Sequence, residues 1–304
     1  MAQEQSDDAW GDFWALNARG NTRGKTTGCL PQRWAAIEDA QRSAWTAFID
    51  RLPTDARVLD LATGDGRVLG WMRAKRMDLD LTGIDLAPNL PPPPKDTKTL
   101  CGVSMEALPF EEGRFDAVVS QFGFEYGEVT KVTAEIGRVL TKDGQVGLLV
   151  HRADGPILEH NLQRQRELQW ALRDKALGQK VRQLLKQGSA KLDKATAVAT
   201  RVAEQGAEKF GQQSPAWEIP EAIRRTCIMG RRDGVGSIIE TIGTIETHAK
   251  NELGRIQSLN AACHRADDRG KIIAAFEGVG LTLQDTHALH EPSGRKLADF
   301  ITFA

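Results

Sequence analysis

The chain has 304 residues, 40% hydrophobic and 27% charged, and its 40 basic and 41 acidic side chains leave a net charge of −1. This profile is typical of a globular protein with one large domain or two modest ones. The balanced charge gives no overall attraction to nucleic acid or to an anionic membrane, so we expect no nucleic-acid partner. No apolar run approaches the ~20 residues that cross a bilayer, so we expect no membrane span.

The cysteines and the first residues indicate the compartment. The four cysteines are far apart, without the CxxC spacing of zinc or redox sites. No cluster of His, Cys and Asp has the spacing of metal ligands, which predicts a reaction without a metal. The opening stretch MAQEQSDDAW is acidic and has no apolar signal region. We therefore expect a cytoplasmic protein.

The first half of the chain reads as alternating strands and helices. WAAIEDAQRSAWTAFIDRL predicts an amphipathic helix after a basic loop, and ARVLDLA predicts a buried strand followed by a helix from Gly66 to about Ala74. LDLTGIDLAP, KTLCGV and FDAVVSQFG predict the next three strands. VTAEIGRVL predicts a helix, and QVGLLVHR predicts a fifth strand after a turn at KDG. Apolar strands that alternate with helices favour a parallel sheet covered on both faces.

The second half is different in character. From Pro156 to about Ala274 the chain is polar and predicts helices, interrupted by the breaker-rich stretch FGQQSPAWEIP. GLTLQDTHAL and RKLADFITFA then predict two closing strands joined by a turn at HEPSG.

One motif, VLDLATGDGR, predicts a ligand site. Gly64 and Gly66 allow a tight turn after the first strand, and the next helix presents unpaired N–H groups there. Turns of this kind bind nucleoside triphosphates, dinucleotides or S-adenosylmethionine.

The surrounding residues discriminate among these ligands. The stretch GKTT does not complete a phosphate-binding loop, because Arg19 stands where that motif needs glycine. Asp85 suits a dinucleotide site, but Leu69 stands in place of its third glycine, and a carboxylate at Asp65 would repel a pyrophosphate. Asp60 and Asp65 instead suit a ligand that carries an ammonium and a sulfonium, such as S-adenosylmethionine.

Four stretches in order resemble class I S-adenosylmethionine-dependent methyltransferases: VLDLATGDGR, LTGIDLAPN, SMEALPFEEGRFDAVVSQFG and RVLTKDGQVGLLV. The third is similar to the small-molecule branch that includes ubiquinone and menaquinone methyltransferases. The resemblance implies a doubly wound α/β fold with a mostly parallel seven-stranded sheet, its last strand antiparallel and inserted beside the fifth. It also implies four regions: an N-terminal helical segment over the cleft (1–52), a cofactor-binding core (53–155), a helical cap between strands 5 and 6 (156–274) and the closing strands (275–304).

The resemblance implies a cofactor site made of residues that follow the first four strands. Its predicted members are Asp60, Ala62, Thr63, Gly64, Asp65, Gly66, Asp85, Leu86, Ser104, Met105, Glu106, Ser120, Gln121 and Phe122. The turn after the first strand would lie under the methionine part, Asp85 would bind the ribose hydroxyls, and Leu86 would pack on the adenine. The chain departs from the family at Ala62, where glycine is usual, and at Ser104, where an aspartate often binds the adenine amino group.

The catalytic candidates follow the fourth and fifth strands. His151 is predicted as a general base, because histidine titrates near neutrality, and Tyr126 as the residue that orients an acceptor hydroxyl. Glu125 and Arg152 lie at the same predicted edge. The predicted reaction is methyl transfer from S-adenosylmethionine to oxygen, nitrogen or carbon of a small molecule. Two alternatives stay open: a non-catalytic regulatory protein and an NAD(P)-dependent oxidoreductase. The helical insertion is a candidate substrate cap or homo-oligomer surface.

Overall fold

The computed structural model describes residues 10–15 and 35–304. The basic loop and the GKTT stretch lie outside the described residues. The chain divides into two compact units, one formed by Met1–Leu158 with Ser258–Ala304 and the other by Glu159–Gln257. The second unit is narrower than the predicted 156–274 region. No helix in the described ranges combines the length and the apolarity needed to span a membrane.

The described elements alternate as predicted and then become helical. Residues 10–15 are helical. The strands are β1 (Arg57–Leu61), β2 (Asp80–Asp85), β3 (Lys98–Cys101), β4 (Phe115–Gln121), β5 (Leu140–Val150), β6 (Leu283–His290) and β7 (Lys296–Phe303). The helices are α1 (Ala35–Ile49), α2 (Arg67–Lys75), α3 (Val129–Val139), α4 (Pro156–Gln169), α5 (Leu177–Leu185), α6 (Leu192–Phe210), α7 (Pro215–Met229), α8 (Val235–Asp267) and α9 (Arg269–Glu277).

The first unit contains one seven-stranded sheet, with the order β3-β2-β1-β4-β5-β7-β6. β1 to β5 pair in parallel, whereas β7 runs antiparallel to both β5 and β6. The predicted fold is therefore confirmed, including the last strand inserted beside the fifth. Because parallel strands point the same way, β1, β2, β4 and β5 all end at one edge of the sheet, where such folds bind ligands.

The apolar content of these strands explains the sheet. Val58, Leu59 and Val118 are fully buried, because a parallel sheet is covered on both faces. On one face, α3 and α9 contribute to a single cluster in which the rings of Phe276 and Phe303 stack with centroids 4.0 Å apart. Fully burying a side chain of this size stabilises the fold by ~1.5–3 kcal/mol.

The start of β5 differs from the prediction. The strand begins at Leu140, so the KDG stretch lies within β5 rather than in a turn before it. Phe115 of β4 pairs with Leu140 of β5, whereas Ala117 pairs with Gln145, so the register shifts between these two pairs. The additional residues of β5 between Leu140 and Gln145 form a bulge. A bulge of this kind keeps the strand paired on both sides of the insertion.

The second unit contains a helix that the sequence analysis missed. α7 begins at Pro215, where the missing N–H costs nothing because the first N–H groups of a helix have no intrahelical partner. The helix also includes Pro220, which lies in the stretch FGQQSPAWEIP that was predicted to interrupt the helices. Pro220 has no N–H for the carbonyl of Ala216, and the backbone of Gly206 on α6 packs against that carbonyl too closely for a side chain. The close pairing of α6 and α7 thus holds a helix that its local sequence disfavours.

Candidate active site

The turn after β1 has the left-handed backbone that the motif predicted. Ala62, Gly64 and Gly66 have φ values of 54°, 55° and 71°. The turn is tied to β2, because the N–H of Thr63 donates to the carbonyl of Ile84 over 2.9 Å. A methyl group on Gly66 would lie 2.6 Å from a ring carbon of Pro94, so glycine is required there for space as well as for φ. Ala62 adopts this backbone despite its side chain.

Two carboxyl groups meet this turn, of which Asp60 is buried and Asp85 is half-buried. Asp60, 2% exposed, accepts a hydrogen bond of 2.6 Å from the hydroxyl of Thr63. Asp85 accepts from the N–H of Gly64 and from the N–H of Ala87, each over 2.9 Å. Burial raises the pKa of Asp60 to about 7, against the lowering effect of Thr63, and burial also raises the pKa of Asp85. All the described donors to these two carboxyls are neutral, so neither carboxyl is paired with a described cation.

The neighbouring members of the predicted site differ in their surroundings. The carboxylate of Asp65 accepts from the N–H and the guanidinium of Arg67, at 3.2 and 3.3 Å, so its charge is paired within the turn. Leu86, which follows β2, is 49% exposed and presents an apolar surface beside Asp85.

The segment after β3 is packed against the start of α3. The hydroxyl of Ser104 accepts from the N–H of Glu106 over 3.2 Å. The carboxylate of Glu106 accepts from the N–H of Glu128 over 2.9 Å and lies 3.4 Å from the Lys131 ammonium. The thioether of Met105 packs against Gly127. These side chains therefore fix the loop after β3 relative to the loop before α3.

The polar residues at the end of β4 make contacts inside the protein. The buried hydroxyl of Ser120 donates to the carbonyl of Leu61 over 3.0 Å and accepts from the N–H of Phe124 over 2.9 Å. The amide of Gln121 accepts from the indole N–H of Trp45 over 2.7 Å and donates to Gln41 over 3.3 Å. Ser120 thus joins the ends of β1 and β4, and Gln121 joins β4 to α1.

The predicted catalytic residues lie together after β4 and β5. Phe122 is in the left-handed region with φ 57°, and its ring packs against the imidazole of His151 with centroids 4.3 Å apart and the planes tilted by 34°. The Tyr126 ring meets the same imidazole edge-on at 6.1 Å. A left-handed backbone is costly for a phenylalanine, and such strain is concentrated at functional sites. The cluster holds His151 buried at the ligand-binding edge of the sheet.

A glutamate beside this cluster was weighed in the sequence but not assigned a role. Glu125, on a short 3₁₀ turn spanning Phe124–Tyr126, is fully buried. Its Oε1 lies 2.7 Å from Nδ1 of His151 and also accepts from the backbone N–H of His151 over 2.9 Å. The Arg265 guanidinium donates to the carbonyl of Glu125 over 2.8 Å, which anchors the turn.

The helical residues 10–15 reach both parts of the site. The Trp10 ring meets the Tyr126 ring edge-on at 5.7 Å. The Trp14 ring fills the space where a side chain on Gly64 would lie. No spacing rule in the sequence connects these aromatic residues to the turn or to the catalytic cluster, because each contact joins residues at least fifty positions apart.

Arg152, which follows β5 at the same edge, is paired with two carboxylates. Its guanidinium donates to Asp154 and to Asp299, at distances between 2.7 and 2.9 Å. These two carboxylates raise its pKa further above the ordinary value. In the described part of the chain, no group of three or more His, Cys, Asp or Glu side chains is arranged to hold a metal ion.

Comparison with known proteins locates the similarity in this half of the chain. Residues 59–148 match the family model described as a methyltransferase domain. A demethylmenaquinone methyltransferase of Thermus thermophilus is 32% identical over 117 residues, which cover 36% of this chain and 52% of the relative. The corresponding enzyme of Thermotoga maritima is 34% identical over 98 residues, 31% of this chain and 42% of the relative. The matches thus cover about half the length of these relatives, or less.

A solved structure covers the chain more widely. The 1,6-didemethyltoxoflavin-N1-methyltransferase of Burkholderia thailandensis, with S-adenosylhomocysteine bound, aligns over 100% of this chain and 90% of its own. Its sequence identity is 11% and its TM-score is 0.45.

Residues 59–148 therefore match a methyltransferase domain, and the strand order and the glycine turn followed by the acidic end of β2 agree with that match. The resemblance to S-adenosylmethionine-dependent methyltransferases of the small-molecule type is confirmed for this segment.

Proposed function

We propose that the protein transfers a methyl group from S-adenosylmethionine to a small-molecule acceptor. The observation that carries this proposal is the turn after β1, where the buried Asp60 and the half-buried Asp85 accept only from neutral described donors, within the segment that matches a methyltransferase domain. The names of the relatives support a small molecule as the acceptor. The identity of the acceptor atom, whether oxygen, nitrogen or carbon, is open in this proposal.

The residues of the turn suit this cofactor. S-adenosylmethionine carries an ammonium and a sulfonium, and two carboxyl groups that are paired with no described cation, one buried and one half-buried, favour such a ligand electrostatically. Asp85 stands at the end of β2 with the exposed side chain of Leu86 beside it, an arrangement suited to ribose hydroxyls and to the flat face of adenine.

The chemistry of the bound cofactor is the supply of a methyl group already activated by a positively charged sulfur. The protein's residues therefore have to bind, orient and exclude water rather than activate the methyl group. We assign His151 to accept the proton that an acceptor O–H or N–H loses, and Tyr126 to orient the acceptor beside it. Their rings already lie together with Phe122.

The helical insertion remains a proposed substrate cap, and residues 1–52 a proposed cover of the cleft. The contacts of Trp10 with Tyr126 and of Trp14 with Gly64 support the second assignment.

Calorimetric titration tests the cofactor. We expect S-adenosylmethionine and S-adenosylhomocysteine to bind and NADH not to bind. The Asp85→Asn variant keeps one acceptor oxygen and loses the charge, and it should weaken binding by ~1–3 kcal/mol. Asp80→Asn is the matched control, since Asp80 lies at the opposite end of the same strand and pairs only with surface cations. Binding of NADH alone, or wild-type affinity in Asp85→Asn, would contradict the proposed site.

A further inference from the structure

His151 is held by contacts on three sides, and only one of its ring nitrogens is used by them. Oε1 of Glu125 lies 2.7 Å from Nδ1, the Phe122 ring covers one face, and the Tyr126 ring meets the imidazole edge-on. No described residue hydrogen-bonds Nε2. Because a carboxylate can only accept, the proton of a neutral imidazole is held on Nδ1. The lone pair is then on Nε2, the atom that can take a proton from an acceptor.

The carboxylate is not needed for these hydrogen bonds alone. A single oxygen, Oε1, accepts both from Nδ1 and from the backbone N–H of His151, while Oε2 is buried without a partner among the described residues. A glutamine amide could supply that one accepting oxygen without the larger cost of burying a charge. The negative charge of Glu125 is therefore not explained by its hydrogen bond to the backbone N–H of His151.

We infer that Glu125 is the positioning residue of a Glu125–His151 dyad, fixing the Nδ1–H tautomer and stabilising the imidazolium that forms when Nε2 takes the acceptor's proton. This inference rests on the proposed methyl transfer. In that step the bond between the methyl carbon and the sulfonium sulfur breaks, and its electron pair goes to sulfur. The acceptor atom forms a bond to the methyl carbon, and its proton passes to Nε2.

The surroundings of Glu125 leave His151 as the base. Burial, reinforced by the charges of Glu125 and Asp267, raises the pKa of the Cys263 thiol to about 12, so this neighbour stays protonated. Arg265 is directed to backbone carbonyls, those of Glu125 and Tyr126, rather than to the carboxylate. Among the described residues, the Glu125 carboxylate therefore hydrogen-bonds His151 and no other residue.

The experiment compares Glu125→Gln, which keeps the shape but replaces an acceptor-only carboxylate with an amide that can also donate to Nδ1, with the wild type in two assays. The first observes the ring nitrogens of His151 by long-range ¹H–¹⁵N NMR, with the signal assigned by its loss in His151→Gln. We expect Nδ1 to carry the proton in the wild type and the protonation to shift toward Nε2 in Glu125→Gln. The second assay is methyl transfer, where we expect kcat to fall by roughly 10- to 100-fold with KM unchanged, less than a whole general base contributes.

Two further variants separate positioning from structure. Glu125→Gln added to His151→Gln should lower kcat no further, because the two residues act as a unit. Asp285→Asn is the matched control: Asp285 also lies 2.9 Å from Nδ1 of a histidine, His287, but on an exposed strand, and turnover should not change.

Wild-type kcat in Glu125→Gln, additive losses in the double variant, or an unchanged His151 tautomer would overturn the inference. Its failure is distinct from failure of the proposed function. Absence of S-adenosylmethionine binding would remove the function, whereas the NMR assay would still decide whether Glu125 sets the tautomer of His151.

Discussion

Replacement of Asp60 by asparagine tests whether the charge under the β1 turn opposes folding. The carboxyl is 2% exposed, and burial raises its pKa from 3.8 to about 7, with smaller contributions from Asp85 and Asp65. Between these two pH values the native protein binds a proton that the unfolded chain has released. The free energy of unfolding should therefore fall as pH rises through this window.

The structure sets the size of the effect. One pKa unit corresponds to about 1.36 kcal/mol, so the interval from pH 5 to a native pKa near 7 corresponds to roughly 2–3 kcal/mol. Asparagine has the same shape, is neutral, and still accepts from the hydroxyl of Thr63. Without S-adenosylmethionine, the Asp60→Asn protein should gain about 2–3 kcal/mol relative to the wild type between pH 5 and pH 8, and the difference should then level off.

Urea unfolding at intervals from pH 5 to pH 8 measures this difference, with tryptophan fluorescence and circular dichroism required to give coincident transitions. Asp116→Asn is the control, because the Arg57 guanidinium lowers the pKa of Asp116. A carboxyl whose native pKa is lowered stabilises the fold above its unfolded pKa, and this stabilisation is lost only below about pH 4. The difference between Asp116→Asn and the wild type should therefore be flat from pH 5 to pH 8. A flat difference for Asp60→Asn as well would refute the reasoning.

Three further substitutions in the first unit test packing at the β1 turn and an ion pair near the end of β5. Gly64→Ala and Gly113→Ala place a side chain at similar positive φ values, but only at Gly64 does it meet the Trp14 ring. Both should lose ~1 kcal/mol from backbone strain, and Gly64→Ala ~1–3 kcal/mol more in thermal unfolding; equal losses would contradict that contact. Asp299→Asn weakens the pairing of Asp299 with two arginines near the end of β5, and urea unfolding should show a loss of ~2 kcal/mol. A loss no larger than the ~0.5 kcal/mol typical of a surface change would show that these ion pairs contribute little.

Much of the sheet follows from local sequence. Parallel strands are buried on both faces, so VLDL and FDAVVS are recognisable as strands from their apolar content alone. Errors arose where a distant partner overrides the local signal. Pro220 stays inside α7, which packs closely on α6 at Gly206, and the KDG stretch stays inside β5, because β4 pairs on both sides of it.

Only part of the candidate site could likewise be predicted from local sequence. The glycine turn and Asp85 are 21 residues apart in a standard strand-helix-strand unit, so the sequence places them together, and the structure joins them through the Gly64 N–H. Glu125 and His151 follow different strands, and no spacing rule pairs them. Only the adjacency of β4 and β5 brings the carboxylate within 2.7 Å of the imidazole.

The sequence by itself determined the fold class, the turn after β1 and the strand ends that bear the candidate residues, because strand burial and glycine turns are local properties of the chain. The tertiary structure alone decided which side chains meet there. It placed Trp14 against Gly64, tied Gln121 to Trp45, and set Glu125 behind His151. Such contacts depend on strand order and on the packing of segments distant in sequence, which local patterns do not encode.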